Sequence, residues 1–274
     1  MKIYIMTDME GVSGVINNKD WCEPGGSYYE EGKELLTQEV NAAVEGFYAA
    51  GATEIHVVDG HGWGGVNHLL LDPRVSYIRY FLPKPYPFYL DSTYSAIAWV
   101  GQHAKAGTDY AHLPHTGSYD VLDCTINGLS VGEFGKVALC AAALGIPSIF
   151  GSGDEAFVEE ARKLTGGIET VSVKQGKVPG SGDECETDAY RSRNLSAIHL
   201  HPAVARARIR EGAEKALARF LRDPESFPLL KLAPPYRMIT RYRKQGDSPA
   251  RTLAADHPSD LIELMNEPGR PVDC

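Results

Sequence analysis

Short apolar runs alternate along this chain with longer segments of helical spacing. β-rich runs cover residues 2–7, 54–58 and 95–100, and a turn containing glycine follows each of them. Between the first two runs, apolar residues over 30–50 recur every three or four positions, as in an amphipathic helix. Strands that alternate with helices in this way predict an α/β fold with a mostly parallel central sheet and helices on both faces.

The same alternation continues to about residue 180. An Asn127-Gly128 turn between two short apolar runs predicts a β-hairpin over 124–131. The further predicted elements are a helix over 133–144, a strand over 147–150, a helix over 156–164 and a strand over 169–174.

The character of the chain changes near Ser196. A long helix is predicted over 202–221, a proline-rich connection over 229–235, an alternating strand over 236–242 and a short helix over 260–265. We therefore predict one α/β domain over residues 1–195, which would carry the chemistry, and a smaller C-terminal α+β part over 196–274.

Composition and charge exclude several classes of protein. Of 274 residues, 43% are apolar, which suffices for a sizeable core, and the net charge of −9 argues against binding to nucleic acid. The apolar runs are far shorter than the ~18 residues needed to span a membrane. The cysteines are odd in number and scattered, as in a cytoplasmic protein with reduced thiols: Cys22, Cys124, Cys140, Cys185 and Cys274.

Side chains that bind metals follow several of the predicted strands. Asp8 and Glu10 come after the first strand, His61 after the second, His103 after the third, and Glu133 begins the helix after the hairpin. In an open α/β sheet, ligands bind beyond the carboxyl ends of the strands, so these groups can converge. Carboxylates and imidazoles suit Zn²⁺ or a similar divalent ion, and a carboxylate can bridge two ions.

The blocks that contain these residues resemble the D-aminopeptidase family of the M55 metallopeptidases, the DppA-like proteins. They occur in the family's order and with similar spacing over roughly residues 1–180. The blocks are Asp8-Met9-Glu10-Gly11-Val12-Ser13-Gly14, Asp59-Gly60-His61, Gly101-Gln102-His103-Ala104-Lys105-Ala106-Gly107, His115-Thr116, Asn127-Gly128 and Val131-Gly132-Glu133-Phe134-Gly135.

The resemblance implies a peptidase with two Zn²⁺ ions per subunit that acts on short peptides with an N-terminal D-amino acid such as D-Ala. By matching block, Asp8 would bridge both ions, Glu10 and His61 would complete one site, and His103 and Glu133 the other. It also implies self-assembly into a ring-shaped homo-oligomer.

His115 would be the catalytic histidine by the same resemblance. The family reads Ser-His-Ser where this chain has Pro114-His115-Thr116, and one residue is added between His103 and His115. An imidazole that binds no metal could carry a proton from a metal-activated water to the leaving amine. The sequence leaves open whether His115 does this or acts as a nucleophile.

Two other functions remain open at this stage. Residues 128–132 fit the G-x-S-x-G pattern of serine hydrolases around Ser130, with His199, His201 or His257 available for a triad. The expected hairpin, however, places Ser130 within a strand and not at the turn into a helix. Alternatively, the chain binds metal or peptide without catalysis.

Overall fold

The computed structural model describes residues 1–81 and 84–272 and shows the expected α/β fold. The helices are α1 (Asn18–Trp21), α2 (Tyr29–Ala49), α3 (Glu133–Ala143), α4 (Glu155–Thr165), α5 (Thr187–Arg193), α6 (Pro202–Arg222) and α7 (Leu261–Asn266). The strands are β1 (Lys2–Thr7), β2 (Glu54–Asp59), β3 (Ser76–Ile78), β4 (Ala96–Gln102), β5 (Val121–Ile126), β6 (Leu129–Ser130), β7 (Ser148–Asp154), β8 (Glu169–Gly176), β9 (Ala197–His199), β10 (Tyr236–Tyr242), β11 (Arg251–His257) and β12 (Arg270–Pro271).

Seven of the described strands form the large central sheet, in the order β3-β2-β1-β4-β7-β8-β9. Neighbouring strands run parallel except for β9, which pairs with β8 in the antiparallel sense. The chain goes from β1 to β2 on one side and later returns to place β4 on the other side of β1. The carboxyl end of β1 is therefore a point where the strand order reverses, which is where open α/β sheets bind ligands.

Helices cover both faces of this sheet, as the pattern predicts. Alternate residues of β1 face opposite sides: Ile3 and Ile5 pack in the core beneath α2 and α6, whereas Tyr4 and Met6 pack in the core beneath α3 and α4. Because both faces are covered, nearly every residue of the central strands is buried, and β4 is buried throughout its length.

A second, antiparallel sheet has the order β12-β11-β10-β5-β6. It packs with α7 and one face of α3 in a third apolar cluster around Leu139 and Leu264. Elements from both sides of residue 196 share each sheet: β9 joins the large sheet, and β10 pairs with β5. The division of the chain into residues 1–195 and 196–274 stays a prediction.

The long periodic elements lie where the sequence predicts them, within a few residues. Two strands extend well beyond the range that the sequence predicts. β5 begins at Val121 and not at Cys124. β7 continues past Phe150 to Asp154 through two glycines, because Gly151 and Gly153 fit tightly between neighbouring groups. The sequence does not predict six further elements, because their residues show no clear periodicity: α1, α5, β3, β9, β11 and β12.

The cysteines and the helix lengths can be compared with what the composition predicts. Cys22, Cys124, Cys140 and Cys185 are free thiols, whereas Cys274 lies outside the described residues. Within residues 1–81 and 84–272, the helices all fall short of the length or the apolar character that crossing a bilayer requires.

Candidate metal centre

The two carboxylates that follow β1 are buried at the point where the strand order reverses. Asp8 is 6% exposed and Glu10 is 2% exposed. Oδ2 of Asp8 accepts a hydrogen bond from the Gln102 side chain at 3.0 Å, and Oδ1 accepts from the Met9 backbone N–H at 2.9 Å. Oε1 of Glu10 accepts from the Asn18 side chain at 2.9 Å, while its Oε2 has no partner. Each carboxylate is therefore oriented by a neighbour and keeps acceptor capacity for a cation.

His103 faces two carboxylates from the end of β4. Its Nε2 lies 3.1 Å from Oδ2 of Asp8 and 3.5 Å from Oε1 of Glu133, without a well-aligned hydrogen bond to either. Its Nδ1 lies 2.8 Å from the Ala104 carbonyl oxygen. A carbonyl can only accept, so Nδ1 carries a proton and Nε2 is the ring nitrogen that faces the carboxylates. This arrangement is typical of a metal-binding histidine.

His61 lies in the turn after β2, and Nε2 is 3.5 Å from Oε1 of Glu10. Asp59 shapes this turn: its carboxylate accepts from the backbone N–H groups of Gly65 and Val66 and from the hydroxyl of Tyr77. Arg79 closes the turn from outside by donating to the carbonyl oxygens of Asp59, His61 and Gly62. The hydrogen bonds of Asp59 and Arg79 therefore fix the backbone of this turn and keep the His61 imidazole next to Glu10.

His115 lies in the middle of a stack of three rings. Its ring is 3.9 Å from that of His103 on one side and 4.5 Å from that of Tyr119 on the other, measured between centroids, and both pairs are nearly parallel. Nδ1 donates to the Leu113 carbonyl oxygen at 3.0 Å, so the unprotonated Nε2 points toward Oε1 of Glu133, 3.7 Å away. The stack and the hydrogen bond fix one orientation and one tautomer of this imidazole.

The loop that carries Glu10 is held by two buried ionisable residues, one on β8 and one on α2. Lys174 on β8 donates from Nζ to the carbonyl oxygens of Glu10 at 2.5 Å and Val15 at 3.2 Å. Glu39 on α2 accepts from the Ser13 backbone N–H at 3.0 Å. These contacts leave the loop little freedom, so the position of Glu10 is fixed by its backbone.

Glycines allow the ends of β1, β4 and β7 to approach closely. A Cβ on Gly11 would lie 2.1 Å from the Gln102 carbonyl oxygen, and one on Gly153 would lie 1.8 Å from the same atom. Gly101 has φ +78°, and a Cβ there would lie 2.0 Å from the Asp8 carbonyl oxygen. The close approach of Asp8 and His103 therefore depends on side-chain-free positions in the backbone between them.

Replacement of Gly101 by alanine is expected to destabilise the fold and to impair metal binding, because the methyl group strikes the Asp8 backbone in a conformation that already disfavours a side chain. We expect a loss of more than ~2 kcal/mol, measured by chemical unfolding. Gly145 is a matched control, since its φ is +79° and nothing lies within 4 Å of its Cβ position. Equal losses for Gly101→Ala and Gly145→Ala would contradict this account.

The buried groups of the site shift one another's pKa values. Burial, followed by the repulsion of Glu10, raises the pKa of Asp8 to about 7. Burial opposes the charge of His61, but the attraction of Glu10 outweighs it and raises the pKa of that imidazole to about 9. Burial likewise opposes ionisation of Glu133, but His103 holds its pKa at about 2. For His115, burial and then His103 lower the pKa. A cluster of such mutually dependent charges is typical of a functional site.

The donor set fits one or more divalent metal ions. Within the described residues, donor atoms of Asp8, Glu10 and His103 all lie within 4.8 Å of one another, as do those of His103, His115 and Glu133. The donors are carboxylate oxygens and imidazole nitrogens, which suit Zn²⁺. Three buried atoms of this cluster have no hydrogen-bond partner in the part of the chain that the structure describes: Glu10 Oε2, His61 Nδ1 and His103 Nε2. A bound cation would satisfy such atoms. Without one, each buried atom that lacks a partner lowers the stability of the fold by its desolvation free energy.

A cavity of about 670 Å³ is lined by five of the side chains in this cluster: Asp8, Glu10, His61, His115 and Glu133. One wall is apolar and includes Met6, Phe88, Trp99 and Val137, which pack in one core cluster, and the lining also contains charged residues such as Arg191. Its size lies within the range of sites for small molecules and short peptides.

The other candidates from the sequence lie apart from this cluster. Ser130 is in β6, as the hairpin predicts, and its hydroxyl donates to Oδ1 of Asp123 at 2.6 Å. His199 accepts at Nδ1 from the Gly14 backbone N–H, and His201 caps the start of α6 by accepting from the Ala203 N–H. The hydroxyl of Ser130 is therefore held by a carboxylate, and these two histidines serve backbone groups.

Several supporting residues were not found by sequence reasoning. Four of them lie far along the sequence from the motif that each supports, so no spacing rule links them to it: Tyr119, Lys174, Glu39 and Arg79. One signal was present: Lys174 stands in a strand of a sheet that is buried on both faces, where a lysine needs a partner.

The comparisons with known proteins agree with one another. The model of peptidase family M55, described as D-aminopeptidase, matches residues 1–254. A D-aminopeptidase of Bacillus subtilis (strain 168) is 30% identical over 201 residues, which cover 72% of this chain and 71% of that protein. A solved structure, the Zn-dependent D-aminopeptidase DppA from Bacillus subtilis, a self-compartmentalizing protease, has the same fold. Its TM-score is 0.79 at 23% identity, covering 97% of this chain and 94% of that one.

Proposed function

The chain belongs to the M55 peptidase family of D-aminopeptidases, and from this membership and the geometry of the site we propose that it is a zinc-dependent aminopeptidase. It would bind two Zn²⁺ ions per subunit and hydrolyse short peptides that begin with a D-amino acid of the D-Ala type. The attacking group would be a water molecule activated by the metal.

One observation carries the proposal: six acidic and imidazole side chains from five separate stretches of the chain meet in one cluster, and five of them line one cavity. Asp8 would bridge the two ions, since its carboxylate lies between Glu10 and His103. Glu10 and His61 would hold one ion, and His103 and Glu133 the other. Four of the five proposed ligands are buried, and each is oriented by a contact with a neighbouring group.

Bound zinc would supply Lewis acidity, lowering the pKa of a water molecule and polarising the scissile carbonyl. The chain's own residues supply the rest. The Leu113 carbonyl and the two stacked rings hold His115 so that Nε2 faces the same space as the carboxylates. Nε2 would accept a proton there and return it to the leaving amine nitrogen. Burial lowers the pKa of His115, so its neutral form, which can accept a proton, dominates at neutral pH.

The cavity supports a small peptide as the substrate. Its volume suits a di- or tripeptide, and its apolar wall beside Met6 and Trp99 would receive the side chain of the first residue. The D configuration is taken from the relatives, which are described as D-aminopeptidases.

Assembly and location complete the proposal. The solved relative is described as self-compartmentalizing, and we propose that this chain likewise forms a ring-shaped homo-oligomer in the cytoplasm. Size-exclusion chromatography with light scattering would give the mass. A monomer at micromolar concentration would contradict the ring.

Hydrolysis of matched dipeptides tests the proposed activity. The zinc-loaded enzyme is expected to cleave D-Ala-D-Ala much faster than L-Ala-L-Ala. Chelation followed by dialysis should abolish the activity, and added Zn²⁺ should restore it. Metal analysis should give two zinc ions per chain. Activity that survives complete zinc removal would contradict the mechanism.

The same assay separates the two alternatives. A serine hydrolase acting through Ser130 would be inactivated by a fluorophosphonate and would be indifferent to chelators. A protein that only binds would retain zinc yet hydrolyse no small D- or L-peptide. The hydrogen bond from Ser130 to Asp123 favours the metal-dependent mechanism, because a serine nucleophile needs a base such as histidine to accept its proton.

A further inference from the structure

Cys22 lies beside the part of the metal centre formed by Glu10 and His61. It follows α1 directly and is fully buried. Within the described residues, donor atoms of Glu10, Cys22 and His61 all lie within 4.8 Å of one another. Cys22 is not among the residues that the family resemblance identifies, and neither its spacing nor its neighbours in the sequence mark it as a ligand.

The two neighbours of Cys22 have donor atoms that the protein itself does not satisfy. Oε2 of Glu10 and Nδ1 of His61 are buried and have no hydrogen-bond partner within residues 1–81 and 84–272, and both residues are more than nine-tenths buried. Among the described residues, the hydrogen bonding of the sulfur is limited to one weak contact, to the Asn17 carbonyl oxygen at 3.8 Å. Three different donor types thus surround a small region in which hydrogen bonding is incomplete.

The surrounding structure holds the sulfur in this place. The Asn17 side chain caps α1 by accepting from the Asp20 backbone N–H at 2.7 Å, and the Cys22 N–H donates to the Asn18 carbonyl at 2.8 Å. The Asn18 side chain, in the same turn, donates to Oε1 of Glu10. The segment that carries the thiol is therefore hydrogen-bonded directly to Glu10, one of the proposed ligands.

We propose that Cys22 is a thiolate ligand of the zinc ion held by Glu10 and His61. The donor set of that ion would then be carboxylate, imidazole and thiolate, a combination that zinc favours. On binding, the S–H proton would leave to solvent and the sulfur would exchange its weak contact with Asn17 for a bond to the metal. The inference rests on the zinc site proposed above and adds to it a ligand outside the set that the family resemblance implies.

Thiolate ligation would give the two metal positions different chemistry. The position near His103 has oxygen and nitrogen donors only, whereas the position near Cys22 has a soft donor. Soft ligands favour zinc over ions such as Mg²⁺ or Mn²⁺. We therefore expect the ion near Cys22 to be the more selective for zinc.

X-ray absorption at the zinc edge of the intact, zinc-loaded protein tests the proposal directly. We expect a sulfur neighbour at ~2.3 Å, in addition to oxygen and nitrogen neighbours at ~2.0–2.2 Å. With two zinc ions per chain and one thiolate, the average would be half a sulfur per zinc. This measurement uses the wild-type protein, so it does not depend on the folding of any variant.

Cobalt substitution of variants identifies the sulfur. The Co²⁺-loaded wild type should show a near-ultraviolet thiolate-to-cobalt charge-transfer band, which Cys22→Ser should abolish. Cys140→Ser is the matched control, because Cys140 is equally buried but packs in a separate core cluster, and it should retain the band. Loss of an outer contact to a metal ligand costs ~10–100-fold in affinity, so loss of a direct ligand should weaken one of the two ions at least as much.

The outcomes distinguish this inference from the proposed function. A zinc-loaded, active enzyme without a sulfur neighbour would overturn the role of Cys22 and leave the peptidase intact. A charge-transfer band that persists in Cys22→Ser would overturn it as well. A chain that binds no zinc would overturn both.

Discussion

Replacing Asp8 by asparagine is expected to remove most of the bound zinc and with it nearly all peptidase activity. The side chain keeps its shape but offers one neutral oxygen in place of a carboxylate that faces both His103 and the Glu10 side of the site. A bridging role requires two charged oxygens, so neither ion would be held as in the wild type. The zinc content measured by metal analysis should fall from two ions per chain to one or none.

The same variant should have the opposite effect on the metal-free chain. Burial and the repulsion of Glu10 raise the pKa of Asp8 to about 7, so ionising it costs folding free energy as pH rises from ~4 toward 7. Asparagine has no charge to desolvate. The metal-free Asp8→Asn chain should therefore melt above the metal-free wild type at pH 8, and the two should converge near pH 4.

Zinc titration completes the test of Asp8. Zinc present at 1,000 times its dissociation constant should stabilise the wild type by ~4 kcal/mol per site, whereas the variant should gain far less. Asp91→Asn is the control, because Asp91 is exposed and its replacement changes the net charge by the same amount as Asp8→Asn. An Asp8→Asn enzyme that keeps two zinc ions and full activity would show that Asp8 is not a metal ligand.

Replacing His115 by alanine is expected to lower kcat by ~10²–10⁴-fold, which is the usual contribution of a positioned acid–base group. KM should change little and zinc content should persist, because the proposed ligands are other residues. Loss of the ring removes the middle member of the stack between His103 and Tyr119, so a modest fall in melting temperature is also expected.

Two further measurements make the His115 result specific. His56→Ala also removes an imidazole, but His56 does not line the cavity and bonds instead to Tyr94, so this variant should keep its kcat. If His115 acts as a nucleophile, rapid quenching of the wild type should trap an acyl group on its ring. Near-normal turnover of His115→Ala would exclude both roles.

The alternation of strands and helices determined much of the fold without any tertiary information. Apolar spacing over the segment 30–50 predicts α2, and the runs at 2–7, 54–58 and 95–100 predict β1, β2 and β4, because hydrophobic periodicity reports which face of each element is buried. The sequence also placed Asp8, Glu10, His61 and His103 just after strands. In a parallel sheet that information alone puts them at one edge.

Only the tertiary structure decided which groups support and complete the site. Tyr119 stacks on His115, Lys174 holds the Glu10 loop from β8, and Cys22 lies beside Glu10 and His61, yet none of these contacts has a local signature. Each depends on how strands far apart in sequence are ordered in the sheet and on how closely Gly11, Gly101 and Gly153 let their ends approach. Periodicity records the burial of an element, whereas the partner that meets each buried side chain is fixed by packing between elements.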